Sequence, residues 1–360
     1  MQNLSDGISL LNDVSEFIRR FVTLSEAQAD VCAVWIVHTH AVEAADFTPY
    51  LDINSPVLRS GKTRLLEVHR LLARKPWFTG RVSGAALVRK TAKEQPTLLL
   101  DESDTAFSSR DDYSEKLRGI LNTGFERGGT YSTCIQNGNN WIAHDFPTFS
   151  PKASAGIGQL TATIQDRSIP IRLKRALRHE KRERFRKRKV QPEAEALRKR
   201  IEEWVANCLD TLREAEPALP DELNDRQQDV CEPLLAIADR AGGDWPRRTR
   251  LALITLYGAD PEQQDASLGV ALLADIRSVF QASGADRLRT CDLLRELCLI
   301  EASPWCEHNR GEPLSSYGLS RILKIFDIHP QDHRFGDARA RGTYGTTSGT
   351  RGQDISQRRQ

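Results

Sequence analysis

The stretch "INSPVLRSGKTRLLEV", Ile53 to Val68, sets Gly61, Lys62 and Thr63 side by side at the start of an apolar-periodic segment. A turn that aims successive backbone N–H groups and a helix N-terminus at one point binds an anion, and a lysine adds a mobile charge. The phosphate-loop pattern G-x-x-x-x-G-K-[ST] wants a first glycine where Pro56 stands. That glycine eases the turn into the loop, and Ser55-Pro56 offers a different turn. Gly61 lies against the phosphates and is the less replaceable of the two. "YLDI" before the loop reads as a strand and "TRLLEVHRLLA" after it as a helix.

The second half of the pattern lies in "PTLLLDESD". Leu98–Leu100 suit a buried parallel strand, which delivers Asp101 and Glu102 at its exit. A carboxylate there holds Mg²⁺ through water, as the Walker-B aspartate does. An adjacent glutamate polarises the attacking water as general base. Loop, helix, intervening strand and Asp-Glu in this order make a candidate nucleotide site.

Working outward, Leu10, Leu11, Val14, Phe17, Ile18 and Phe21 form one helical stripe, and Ser25 with Gln28 resembles a capping box opening a second helix. From Thr48 to Arg175, short apolar runs alternate with helical stretches, which predicts a mainly parallel sheet covered by helices. Within it, "TYSTCIQNGNNWIAH" carries the hairpin signal Asn137-Gly138, and "FPTFSPKASAGIG" and "RSIPIRLKR" supply two further strands. Between Arg172 and Lys189, Glu180 and Glu183 are the only acids in a basic run. It reads as a solvated helix face, with phosphate contact as the alternative. The expected organisation is N-terminal helices over 1–45, a P-loop core over 46–175 and a helical lid over 176–262. A small helical or winged-helix-like module over 263–335 and a disordered, Gly/Arg/Ser/Thr-rich tail over 336–360 complete it.

Composition excludes more than it names. Of 360 residues, 39% are hydrophobic and 28% charged, with a net charge of +2, so global charge singles out no partner. No run approaches the ~20 apolar residues of a membrane span, and "MQNLSDGISL" lacks a signal peptide's basic and apolar regions. The expected location is the cytoplasm. Seven scattered cysteines without a C-x-x-C pair argue against a zinc framework and are expected to be reduced and mostly buried. His38 and His40 are expected to pack within a helix, and Cys306 with His308 forms a lone C-x-H pair.

With "TPYLDINSPVLRSGKTRLLEV", "PTLLLDESDTAF", "LRGILNTGFERGG", "SPKASAGIG", "DRSIPIRLKR" and "LNDRQQDVCEPLLAIADRAGGDWPRRTR" in view, the chain resembles the P-loop domain of unknown function found in phage- and plasmid-type primase-helicase proteins. The likeness covers about residues 30–260, and weaker likeness runs to 330. It implies an AAA+-like α/β ATPase, related to replicative helicases, that uses ATP and Mg²⁺. Ser60, Gly61, Lys62, Thr63 and Arg64 would then surround the phosphates, Thr63 and Asp101 would hold the metal, and Glu102 would activate water. Arg167 would reach a neighbour's γ-phosphate as a finger. Arg250 would be a lid sensor, and Ser150 or Lys152 a polar sensor. The hairpin, through Asn137, Asn139 and Trp141 with Arg127 at its base, would grip DNA. The implied partners are single-stranded or forked DNA, further copies in a homo-oligomeric ring and a separate primase, with no membrane. Two departures stand out: no primase domain precedes the motor, and the C-terminal end lacks the expected ordered finish. The alternatives are a P-loop phosphotransferase and a nucleotide-gated regulatory or binding module.

Overall fold

The computed structural model describes residues 4–55, 59–80, 82–101, 112–137, 140–156, 160–175, 182–258, 261–285, 287–300, 305–306, 312–324, 326, 328, 331–335 and 338–344. The chain divides into two compact units, Met1–Gly258 and Ala259–Gln360, so the boundary expected at 262 falls a few residues earlier.

The first unit is a mixed α/β structure. Its five parallel strands are β1 (Tyr50–Asn54), β2 (Pro76–Thr79), β3 (Thr97–Leu100), β6 (Lys152–Gly156) and β7 (Ser168–Arg172), in the order β2-β3-β6-β1-β7. Helices α3 (Lys62–Leu72), α4 (Gly84–Glu94), α5 (Asp112–Thr123) and the short α6 (Ala162–Gln165) connect them. The register pairs Asn54 with Gly156 and Arg172, and Leu100 with Thr79 and Ser154. The phosphate-loop candidate and Asp101 therefore leave the sheet at one and the same edge. Tyr50 pairs with Lys152 and Ser168 at the opposite edge.

The N-terminal helices are central. In α1 (Leu4–Phe21) the predicted stripe from Leu10 to Phe21 is buried throughout. In α2 (Glu26–Ala41), buried residues run from Gln28 to Ala41 with no polar face. A helix apolar all round belongs inside a core, and this one is packed on several sides. The Ser25–Gln28 capping box closes its start in both directions. His38 Nε2 meets Thr48 Oγ1 at 2.9 Å and His40 Nε2 meets the Leu72 carbonyl oxygen at 2.8 Å, so both imidazoles are packing groups.

Helices α7 (Lys187–Arg213), α8 (Asp225–Ala241) and α9 (Trp245–Gly258) fill the expected lid region. They pack on α1 and α2 around the buried Trp245, within the same unit as the sheet. The basic run is not one helix. Residues 182–186 are extended along the end of α1, and the helix begins only at Lys187. Cys32, Cys208 and Cys231 are buried, but Cys134, Cys291 and Cys306 are exposed and Cys298 is half-buried. The expectation of mostly buried thiols fails because Cys134 falls on an exposed hairpin strand and the other three on the smaller second unit.

That second unit contains α10 (Pro261–Ser283), β8 (Arg287–Arg289), α11 (Thr290–Leu299), α12 (Ser316–Lys324), β9 (Gln331–Phe335) and β10 (Ala338–Tyr344). Its own core includes Leu272, Leu293, Leu297, Trp305, Leu319 and Leu323. The expectation of a disordered tail over 336–360 does not hold for 338–344, where β10 is the middle strand of a three-stranded antiparallel sheet, β8-β10-β9, and residues 345–360 lie outside the described residues. Backbone pairing from both sides orders β10 without the apolar anchors whose lack suggested disorder.

Candidate functional site

Gly61 opens α3 at φ 96°, and Arg59 two residues earlier also has a positive φ of 58°. Only glycine adopts the first of these without strain. Ser55 and Ser60 are buried in the turn. Lys62 Nζ lies 3.4 Å from both the Ser55 carbonyl oxygen and Ser60 Oγ, so its ammonium is held within the loop. The Thr63 hydroxyl donates to Asp101 Oδ1 at 3.3 Å across 38 residues of sequence. Asp101 is positioned by the end of β3, where its N–H donates to the Thr79 carbonyl at 3.0 Å. Loop lysine, loop threonine and strand aspartate thus converge at one edge of the sheet. Glu102 lies outside the described residues, as do Pro56–Leu58. Arg64 pairs with Glu67 at 2.9 Å and lies 4.4 Å from the Phe185 ring centre.

Two features of this edge have no counterpart in the sequence motifs. Asp52, two residues before the end of β1, is almost wholly buried, and burial pushes its carboxyl up to about 6 despite a hydrogen bond from Asn54. An open cleft of about 470 Å³ is lined by Arg19, Arg20, Arg182, Arg248, Glu16 and Val22, among others. Val22 is also the side chain a Cβ on Gly61 would touch, at 3.4 Å, so the cleft adjoins the loop. The adjacent pair Arg19-Arg20 at the end of α1 is the signal in the sequence that could have found it.

The remaining candidates lie elsewhere. Arg250 is forked onto Asp239 at 2.6 and 2.8 Å and donates to the Ala218 and Pro246 carbonyls. Arg248 is the arginine of that helix that lines the cleft. Lys152 and Ser150 stand at the sheet edge opposite the loop, which removes them as polar sensors. The buried Lys152 ammonium instead donates to the carbonyls of Gly124, Thr148 and Ser150, and burial lowers its pKa well below the usual lysine range. Arg167 also stands at that far edge, just before the outer strand, where its guanidinium donates to the Thr163 carbonyl. The sheet is about 15 Å long at five residues per strand, so Arg167 does not serve the loop of its own chain.

The predicted hairpin forms from β4 (Thr130–Asn137) and β5 (Asn140–Pro147), with Gln136 opposite Trp141. Trp141 is 69% exposed rather than packed inward. Gly138 and Asn139 lie outside the described residues, and only the backbone of Asn137 is described. Arg127 donates to the carbonyls of Val42 and Ala45 and packs over Phe149, so its charge ties the preceding loop to the hairpin base.

These features define a mixed α/β protein with a five-stranded parallel sheet flanked by helices. Comparison adds a family. The chain belongs to the family described as "Protein of unknown function (DUF3631)", which matches residues 172–351, half of its length. A Saccharopolyspora erythraea protein described as "Uncharacterized 28.9 kDa protein in xis 5'region" is 38% identical over 142 residues, covering 39% of this chain and 52% of the relative. The chain spans about half the length of that curated relative. Among the described residues, no helix is long and apolar enough to cross a membrane.

Proposed function

We propose that this chain is an ATP-hydrolysing P-loop motor of AAA+-like architecture, dependent on Mg²⁺, related to replicative helicases and acting on the DNA of a mobile element. The observation that carries the reading is the 3.3 Å contact between Thr63 Oγ1 and Asp101 Oδ1 beside a helix opened by Gly61. A hydroxyl and a carboxylate are hard oxygen donors, and so sparse a set suits Mg²⁺, which keeps several of its waters. When bound, that ion neutralises charge on the phosphoryl oxygens.

The chain's own groups supply the rest. Lys62 exchanges two long contacts within the loop for a charge-assisted one to a phosphate oxygen. The N–H groups at the start of α3 face the same anion. Glu102, next to Asp101, takes the proton of the attacking water. Arg167 serves a neighbouring subunit in a ring, consistent with its place at the far edge of the sheet. Exposed Trp141 stacks on an unpaired base. The mobile-element setting is supported by the relative described as lying in the xis 5' region.

The deciding experiment measures ATP hydrolysis with and without single-stranded DNA. Stimulation in the wild type, its loss in Trp141→Ala and loss of all turnover in Lys62→Ala are expected. Phosphate transfer to an added acceptor would replace this reading with a phosphotransferase. ATP binding without turnover would leave a nucleotide-gated module. Mixing Arg167→Ala with Lys62→Ala subunits is expected to restore part of the activity, and no rescue from a strictly monomeric active protein would remove the finger.

A further inference from the structure

We infer that the second unit carries a reading surface for double-stranded DNA, with α12 as the helix that enters the major groove and the β9–β10 hairpin as its flank. This stands apart from the nucleotide-driven reading of the first unit and uses none of its residues.

The order of elements is the first support. Helix α10, strand β8, helices α11 and α12, then the paired strands β9 and β10 follow one another, and β10 returns to lie between β8 and β9. Two helices, the first ending at Leu299 and the second beginning at Ser316, are completed by a small sheet in a winged-helix-like order, in which the second helix of the pair is the one presented to DNA. The three helices enclose a core of their own, with Trp305 donating to Asp275 at 2.6 Å. The fold therefore does not need the outward face of α12.

The chemistry of that outward face is the second support. Leu319, Ile322 and Leu323 of α12 are buried. Tyr317, Arg321 and Lys324, spaced to share the other side, are exposed, Tyr317 at 79%. Ser316 beside them is exposed as well, and the helix contains no acid. A helix is about 10–12 Å across with its side chains, which a groove about 12 Å wide accepts. Arginine forks onto guanine O6 and N7, lysine neutralises phosphate, and hydroxyls bond to either.

The hairpin is basic in sequence as well. Arg334 is directly opposite Arg339, and Arg341 lies two residues further along β10, so these three positions and Asp332 share one face of the pleat. Residues 316–344 hold five Lys/Arg against three Asp/Glu, whereas residues 287–315 hold four against five. Positive charge is therefore concentrated on the helix and hairpin that would meet phosphates. A protein-binding face would want an apolar centre, which α12 does not present.

The test uses the full chain and a fluorescein-labelled 30-bp duplex of mixed sequence beside the matching single strand, read by anisotropy between about 50 and 200 mM salt. The wild type is expected to bind the duplex more tightly than the single strand. Arg321→Ala/Lys324→Ala is expected to weaken duplex binding at least tenfold and to flatten the log K against log salt slope by about 0.9, the one phosphate contact of Lys324. Arg321→Lys/Lys324→Arg keeps the charge and should keep the slope, which separates lost contacts from lost folding. Lys62→Ala should bind the duplex like wild type, so a failed nucleotide site and a failed duplex site are read separately. The proposal is overturned if the wild type prefers the single strand or binds neither. It is equally overturned if the α12 double variant is unchanged, or if Arg184→Ala/Arg188→Ala in the basic run abolishes duplex binding instead. Capture of a protein partner by wild type, lost in the α12 variant without duplex binding, would reassign the face.

Discussion

Replacing Arg248 with alanine is expected to cost the first unit about 3–5 kcal/mol, because it strands a buried charge. Asp30 on α2 is 2% exposed, and its carboxylate receives Arg248 Nη2 at 2.6 Å and Nε at 3.0 Å from α9. Its other donor is the Ser15 hydroxyl of α1 at 3.3 Å. The guanidinium also covers the Trp245 ring at 4.3 Å, a contact worth about 0.5–2 kcal/mol, so the upper part of the range is the better expectation. A domain is stable by about 5–15 kcal/mol, so the loss is a large fraction of the whole. The assay is urea unfolding followed by tryptophan fluorescence, which reports the first unit because Trp35, Trp77, Trp141, Trp204 and Trp245 lie there and Trp305 alone lies in the second. The midpoint should fall with an unchanged slope. Burial already raises the Asp30 pKa and Arg248 opposes it, so without Arg248 the carboxyl takes up a proton more readily. The native state then binds more protons than the unfolded chain, and the deficit should shrink as the pH is lowered toward 5. Asp30→Leu/Arg248→Met should recover most of the loss. A cost below about 1 kcal/mol for Arg248→Ala, or one that does not shrink in acid, would refute the argument.

Lys62→Ala should leave the melting temperature unchanged while removing ATP turnover, since its two contacts to loop oxygens are long, and Glu102→Gln should retain ATP but not hydrolyse it, as nucleotide retention on a desalting column would report. Burial lowers His38 to about 3 and His69 to about 4, so the unfolded chain binds the extra protons and stability should fall as pH drops below 6.5, by up to about 1.4 kcal/mol per unit for each histidine. Asp52, raised to about 6, acts in the opposite sense between about 6 and 3.8, so Asp52→Asn should steepen the acid loss in a pH series of urea midpoints. Gly129→Ala places a Cβ 1.7 Å from the Thr123 carbonyl oxygen and should cost about 2–3 kcal/mol by differential scanning calorimetry, whereas an unchanged Tm would show that the turn yields freely.

Much of the first unit was legible in the sequence because its signals are local. The stripe of α1, the capping box of α2, the apolar strands and the Asn137-Gly138 hairpin each depend on spacing within a few residues. The approach of Thr63 to Asp101 was legible for a related reason: parallel strands send their C-terminal ends to one edge, so sequence order alone brings loop and carboxylate together. What a charged side chain satisfies was not legible, because the Val42 and Ala45 carbonyls that hold Arg127, and the Gly124 carbonyl that joins two local ones on Lys152, are distant in sequence. Arg248 and Arg250 make the point within a single helix. At about 100° per residue, two positions apart lie on nearly opposite sides, so Arg250 meets Asp239 while Arg248 meets Asp30 and lines the arginine cleft. Both read alike in "WPRRTR", and only the packing of α9 against α2 assigned one to the cleft and the other to the helical bundle. In the same way β10 looked structureless until its pairing with β8 and β9 supplied the hydrogen bonds that its own side chains do not advertise.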